Sequence, residues 1–78
     1  MTARRYGMKA GLTPRAAVRW MQDTATAAGG ASHIRFSVHC FTHPIGATFA
    51  PFAAACGLVR NAEDRPGVRF NLCAWKTN

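Results

Sequence analysis

The sequence predicts an all-α membrane protein with a single transmembrane helix and no independent globular core. Three observations lead to this prediction. The 24 residues from Phe36 to Val59 carry no charged side chain, Leu, Ile, Val and Phe together number only 14 of 78 residues, and the first 22 residues are basic and contain no acid. A short chain needs many large apolar side chains to fold alone, so we expect this one to gain its stability from lipid or from partner proteins.

The chain divides into three predicted segments. Residues 1–35 form a basic N-terminal segment, residues 36–61 form the membrane segment, and residues 62–78 form a polar turn followed by an extended arm. The arginine-rich, acid-free start has the composition of an organellar targeting segment.

A short amphipathic helix is predicted over about 14–28. Thr13 is a favoured N-cap residue, Pro14 suits the first helical position, and Gly29 follows the end of the helix. One side of this helix is apolar and the other is basic, which suits binding to an anionic membrane surface. An ordinary packed surface helix is the alternative. The predicted membrane-surface residues are Arg15, Arg19, Trp20, Arg35 and Arg60.

The transmembrane helix is predicted over about 42–61. At ~1.5 Å per residue, a helix as long as the uncharged block reaches about 36 Å, enough to cross a hydrocarbon core of ~30 Å. Pro44 fits its first turn, and Pro51 predicts a kink. Small residues at four-residue spacing predict a face that packs on other transmembrane helices. They are Gly46, Ala50 and Ala54, with Ala53 and Gly57 on an adjoining stripe.

The C-terminal arm is predicted to be extended. Pro66-Gly67 is a strong turn signal, and the residues from Val68 to Trp75 then alternate between two faces. Because no other predicted segment covers this arm, we expect it to bind a neighbouring subunit. A disordered tail is the alternative. The predicted partner-binding residues are Val68, Phe70, Leu72 and Trp75.

Side chains that bind metals cluster only at His33, His39, Cys40 and His43. On a helix, His39 and His43 would share a face, a spacing that suits zinc, and a membrane histidine can also bind haem. Pro44 disfavours helical geometry at His43, and no third ligand lies nearby in the sequence. No catalytic triad, phosphate-binding loop or carboxylate pair is present either. We therefore expect no catalytic, cofactor or metal site and no enzyme activity.

The uncharged block resembles the membrane span of a family of small respiratory-chain subunits. Phe36-Ser37-Val38, Gly46, Phe49-Ala50-Pro51-Phe52 and Leu58-Val59-Arg60 occur in the order typical of the cytochrome c oxidase accessory subunit called VIIc in mammals and VIII in yeast. The resemblance implies a non-catalytic, single-pass subunit of the mitochondrial inner membrane, with its N-terminus in the matrix. Its partners would be other subunits of the complex and phospholipid.

Two other functions stay open. One-helix accessory subunits also occur in complex I, complex III and ATP synthase. Alternatively, the net charge of +7 and the aromatic residues Tyr6, Trp20 and Trp75 suit a basic RNA- or ribosome-associated protein. The uncharged block argues against nucleic acid as a partner, because a third of the chain would then contribute no charge to binding.

Overall fold

The computed structural model describes residues 3–40 and 48–77, which form a four-stranded antiparallel sheet and two α-helices. The elements in chain order are β1 (Ala3–Leu12), α1 (Pro14–Ala27), a 3-10 helix (Ala31–His33), β2 (Ile34–Cys40), β3 (Thr48–Pro51), α2 (Phe52–Arg60) and β4 (Phe70–Thr77). The strands lie in the order β1-β4-β2-β3, and neighbours are antiparallel. The predicted all-α fold class is therefore wrong.

Each helix connects two strands that are not neighbours in the sheet. α1 joins β1 to β2, with β4 between them, and α2 joins β3 to β4, with β2 between them. The fold thus consists of two interlocked split β-α-β units. β4 lies between β1 and β2, so these two strands are joined in one sheet only through residues 70–77.

One hydrophobic core lies between the sheet and the helices. Alternate side chains of β2 and β4 are buried and form a single cluster with the inner faces of both helices. Phe36 is 0% exposed, and its ring centre lies 6.0 Å from that of Trp20 and 6.3 Å from that of Phe52. Many other core residues are small: Ala17, Ala25, Ala28, Ala50, Ala55 and Ala74. The prediction that the chain lacks a core is wrong, because small side chains also fill a close-packed interior.

The first helix confirms its sequence prediction. α1 spans Pro14–Ala27, with proline at the first helical position. Thr13 is extended and precedes the helix as its N-cap, where its Oγ1 accepts a hydrogen bond from the backbone N–H of Ala16 at 3.2 Å. The cap satisfies one of the backbone donors that every helix N-terminus leaves unpaired.

Replacing Thr13 by alanine is expected to lower the free energy of unfolding by about 0.5–2 kcal/mol, because the N–H of Ala16 loses its acceptor. Thr13→Ser retains a hydroxyl and is the matched control, with little expected change. Urea denaturation of both variants measures the difference. Equal destabilisation by serine and alanine would contradict the capping role.

The transmembrane helix predicted over 42–61 is wrong. Thr48–Pro51 is a strand, and α2 begins only at Phe52 and has nine residues. Nine helical residues extend about 14 Å, well short of a hydrocarbon core of ~30 Å. Between residues 3 and 40 and between 48 and 77, neither helix has the length and hydropathy needed to cross a membrane. The remainder of the predicted span, with Pro44, lies outside the described residues.

Pro51 separates the strand from the helix. It has φ −65° and ψ 163°, ends β3 and is the N-cap of α2. A proline ring disfavours helical geometry at the residue before it, so Ala50 is extended. Its missing N–H is tolerated because β3 is an edge strand. The predicted kink at Pro51 is therefore wrong, because Pro51 lies at the junction between β3 and α2 and not inside a helix.

The residues predicted to pack against other transmembrane helices do not share one face. Ala50 is buried in β3, whereas Ala53 and Ala54 are exposed on α2 and Gly57 is half-buried. Gly46 lies outside the described residues. The side of α2 that enters the core instead consists of Ala55, Cys56 and Val59.

The C-terminal arm is extended, as predicted, but belongs to the chain's own sheet. β4 pairs with β1 on one side and with β2 on the other. Val68, Phe70 and Leu72 are buried, and Trp75 is half-buried. The alternation is confirmed, but the expectation that nothing else in the chain covers the arm is wrong, because the helices cover its apolar face.

The predicted function depended on one continuous helix over 42–61, but residues 48–60 form the strand β3 and the short helix α2. The mitochondrial location, the respiratory-complex partners and the phospholipid contacts stay predictions. Their main argument, an uncharged block long enough to cross a membrane, no longer supports them, because the block is divided among β2, β3 and α2.

Candidate functional site

The sheet face opposite the helices is not covered by any element that the structure describes. Along β2 and β4, the side chains that alternate with the buried ones are half-buried or exposed. Successive strand residues point to opposite faces, so these side chains share the outer face of the sheet. This open face consists of Arg5 and Met8 of β1, Asn71, Cys73 and Trp75 of β4, Arg35, Ser37 and His39 of β2, and Phe49 and Pro51 of β3.

Trp75 lies between two arginines on the open face. Arg5 of β1 and Arg35 of β2 are its partners in the strand register. The indole Nε1 donates a hydrogen bond to the Oγ of Ser37 at 2.7 Å. The guanidinium carbon of Arg5 lies 5.9 Å from the ring centre, within the range of a cation–π interaction. These contacts hold the indole in one orientation beside positive charge.

Phe49 provides a second ring on the same face. It lies on the edge strand β3, is 53% exposed, and pairs with Ser37. The guanidinium carbon of Arg35 lies 5.7 Å from its ring centre. Since two strand spacings of about 4.8 Å separate β3 from β4, Phe49 and Trp75 are on the order of 10 Å apart. The open face therefore has two separate aromatic positions, each next to an arginine.

A depression of about 200 Å³ lies on the open face between β1 and β2. The residues that line it are Met8, Lys9, Ala10, Ser37, His39, Asn71, Leu72 and Cys73. The Oδ1 of Asn71 accepts a hydrogen bond from the backbone N–H of Gly11 at 2.9 Å. Gly11 has φ 69°, a conformation that favours glycine, at an irregularity in the β1–β4 ladder. The irregularity at Gly11 therefore orients the side chain of Asn71 through this hydrogen bond.

The charges on the strands are all positive. The strands carry five cationic residues and no acidic residue: Arg4, Arg5, Lys9, Arg35 and Lys76. The three acidic residues of the chain lie in α1 and in the turns after α2: Asp23, Glu63 and Asp64. Arg5 and Arg35 are the two of these five that lie on the open face, and a surface with one sign of charge attracts polyanions and speeds their association.

The predicted membrane-surface residues fall on different parts of the molecule. Trp20 is half-buried and packs edge to face on Phe36. Arg35 is on the open face. The other three line a groove of about 470 Å³ beside carboxylates of the helical layer: Arg15, Arg19 and Arg60. The structure therefore does not bring these five residues onto one surface.

The candidate metal ligands are separated by the strand geometry. His39 lies on the open face, whereas Cys40, the next residue in β2, is buried on the other side. His43 lies outside the described residues. Within the parts of the chain that the structure describes, no three His, Cys, Asp or Glu side chains form a group that could hold a metal ion.

Burial raises the pKa of the Cys56 thiol, and nearby Arg60 partly opposes this shift, so the thiol stays protonated at neutral pH.

Sequence reasoning found only part of the open face. The sequence predicts a membrane-surface role for Arg35 and a partner-binding role for Trp75, with nucleic acid as the alternative for Trp75. It predicts no binding role for Phe49, Ser37 or Asn71. The alternation of residues 34–40 is the signal that could have identified β2 and its outer side chains.

The open face combines the exposed ring of Phe49, the half-buried indole of Trp75, positive charge and a small, mostly apolar depression. Comparison with known proteins adds no assignment, since no family model, curated protein or solved structure matches the chain.

Proposed function

We propose that this protein binds single-stranded nucleic acid across the open face of its sheet. The observation that carries the proposal is the placement of Trp75 and Phe49, each beside an arginine, on strands without acidic residues. Base stacking on aromatic side chains and neutralisation of the phosphate backbone are the two interactions by which proteins hold single strands.

The open face suits unpaired bases better than a duplex. In a double helix the flat faces of the bases are stacked on one another and cannot reach Trp75 or Phe49. Unpaired bases can turn outward and stack on a protein ring, and RNA-binding modules use aromatic residues on four-stranded sheets to stack two or three bases. The two rings here provide positions for two bases.

Arg5 and Arg35 are placed to contact phosphate groups. Both side chains are exposed, and each guanidinium lies beside a ring on which a base would stack. A guanidinium can donate two parallel hydrogen bonds to phosphate oxygens while its plane stays close to an aromatic face. The phosphates that flank a stacked base would therefore come within reach of these arginines.

The salt dependence of binding tests this proposal. For single strands, the logarithm of the association constant falls by about 0.7 per neutralised phosphate for each unit of log salt. Replacing Arg5 and Arg35 together by glutamine is therefore expected to reduce the slope by about 1.4. Fluorescence anisotropy with a labelled RNA octamer of mixed sequence, titrated at a series of KCl concentrations, measures the slope.

The matched control removes the same charge from the helical layer. Arg15 and Arg19 are exposed on α1, and replacing both by glutamine is expected to leave the slope nearly unchanged. Equal changes in the two double variants would show that binding follows net charge and does not use the open face. Failure of the unmodified protein to bind the octamer would reject the proposal.

A further inference from the structure

Asn71 presents hydrogen-bond donors to the depression on the open face. Its Oδ1 accepts from the backbone N–H of Gly11, and a backbone N–H requires an acceptor, so the amide oxygen faces β1. The amide NH2 group is on the other side of the side chain and carries two donors. It is therefore the part of Asn71 available to a molecule in the depression.

Ser37 provides a further donor. Its Oγ accepts the hydrogen bond from the indole N–H of Trp75, a group that can only donate. The hydroxyl proton of Ser37 is therefore left to donate elsewhere. Ser37 and Asn71 lie diagonally across the β2–β4 ladder, close enough for their side chains to contact one ligand.

The size of the depression limits what it holds. Its volume of about 200 Å³ is below the ~300–1,000 Å³ of ordinary small-molecule pockets. Met8, which is 64% exposed, and Cys73 add polarisable sulfur to its walls. A single flat heterocyclic ring suits this space better than a purine with its second ring.

We infer that the depression binds a pyrimidine base with two carbonyl oxygens, uracil or thymine. The hydroxyl of Ser37 and the amide NH2 of Asn71 donate to these carbonyls. The inference rests on the proposed function, because the base enters as part of the strand that stacks on Trp75. Cytosine has an amino group in place of one carbonyl, so a donor would face a donor, and adenine has no carbonyl at all.

Affinities for homopolymeric octamers test the inference. We expect oligouridylate and oligothymidylate to bind about tenfold more tightly than oligocytidylate or oligoadenylate, equivalent to about 1.4 kcal/mol. Comparing oligouridylate with oligodeoxyuridylate, which carry the same base on different sugars, then distinguishes RNA from DNA as the source of the base.

Asn71→Asp makes the test specific to the depression. The carboxylate keeps an acceptor for Gly11 and replaces the donors with a second acceptor, so cytosine should gain affinity relative to uracil. Thr77→Asp is the control, because Thr77 lies on the same face of β4 and adds the same charge. It is expected to weaken all octamers equally.

The outcomes separate the two proposals. Equal affinity for all octamers would overturn the base preference and leave single-strand binding in place. A preference for uracil or thymine that Asn71→Asp does not alter would also overturn the assignment to the depression. If no octamer binds the unmodified protein, both the inference and the proposed function are rejected.

Discussion

Replacing both Trp75 and Phe49 by alanine is expected to weaken the binding of single-stranded oligonucleotides at least about 30-fold. Stacking of one base on an aromatic side chain contributes about 1–3 kcal/mol by alanine substitution, and each 1.4 kcal/mol is about tenfold in affinity. The two rings lie on the order of 10 Å apart and would contact different bases, so their losses should add. Anisotropy titrations at one fixed salt concentration measure the effect.

Two further variants show whether the rings act by stacking. Trp75→Phe keeps an aromatic ring but loses the N–H that Trp75 donates to Ser37, so its affinity is expected to fall between those of the unmodified protein and Trp75→Ala. Leu58→Ala removes a side chain that is 37% exposed on α2, away from the sheet. A loss of affinity in Leu58→Ala as large as in the double variant would contradict binding at the open face. Thermal unfolding of each variant confirms that it is folded when binding is measured.

The parts of the fold that could be predicted depend on residues close together in the sequence. Thr13 and Pro14 specify the start of α1 within a few residues, and the alternation over residues 68–75 identifies an extended segment without any knowledge of its neighbours. Both predictions hold because an N-cap and a period of two are local properties. The position of β4 between β1 and β2 is not local, and no pattern within β4 specifies it.

The absence of charge over residues 36–59 predicts a membrane span, whereas the periodicity of residues 34–40 predicts a strand. Residues 34–40 alternate between buried and outer positions, but the outer positions Ser37 and His39 are uncharged. A count of uncharged residues therefore does not detect this alternation. Within a helix Pro51 predicts a kink, but the effect of proline on the preceding residue also favours the end of a strand.

The open face was hard to predict because its contacts join distant segments. The alternation of residues 68–75 places Trp75 in an extended segment, but its hydrogen bond to Ser37 and its contact with Arg5 follow from the order of strands in the sheet. The contact between Phe49 and Arg35 depends likewise on the pairing of β2 with β3. Sequence patterns can identify candidate side chains, but the pairing of strands determines which of them are in contact.

Replacing Phe36 by alanine is expected to lower the free energy of unfolding by about 3–5 kcal/mol, because the ring is fully buried and its removal leaves a cavity. Domains are stable by only about 5–15 kcal/mol in total, so a large part of the fold's stability should be lost. Phe49→Ala is the matched control, since it removes the same side chain from an exposed position, and surface substitutions usually change stability by less than about 0.5 kcal/mol. Urea denaturation followed by tryptophan fluorescence suits the measurement, because Trp20 contacts Phe36.

The same pair of variants separates stability from binding. Phe36 precedes Ser37 in β2 and points to the opposite face of the sheet, so it has no contact with a ligand on the open face. Phe36→Ala should therefore reduce binding only by lowering the folded fraction, while Phe49→Ala should reduce the affinity of the folded protein. Similar small effects of both substitutions on unfolding would contradict the core described for this chain.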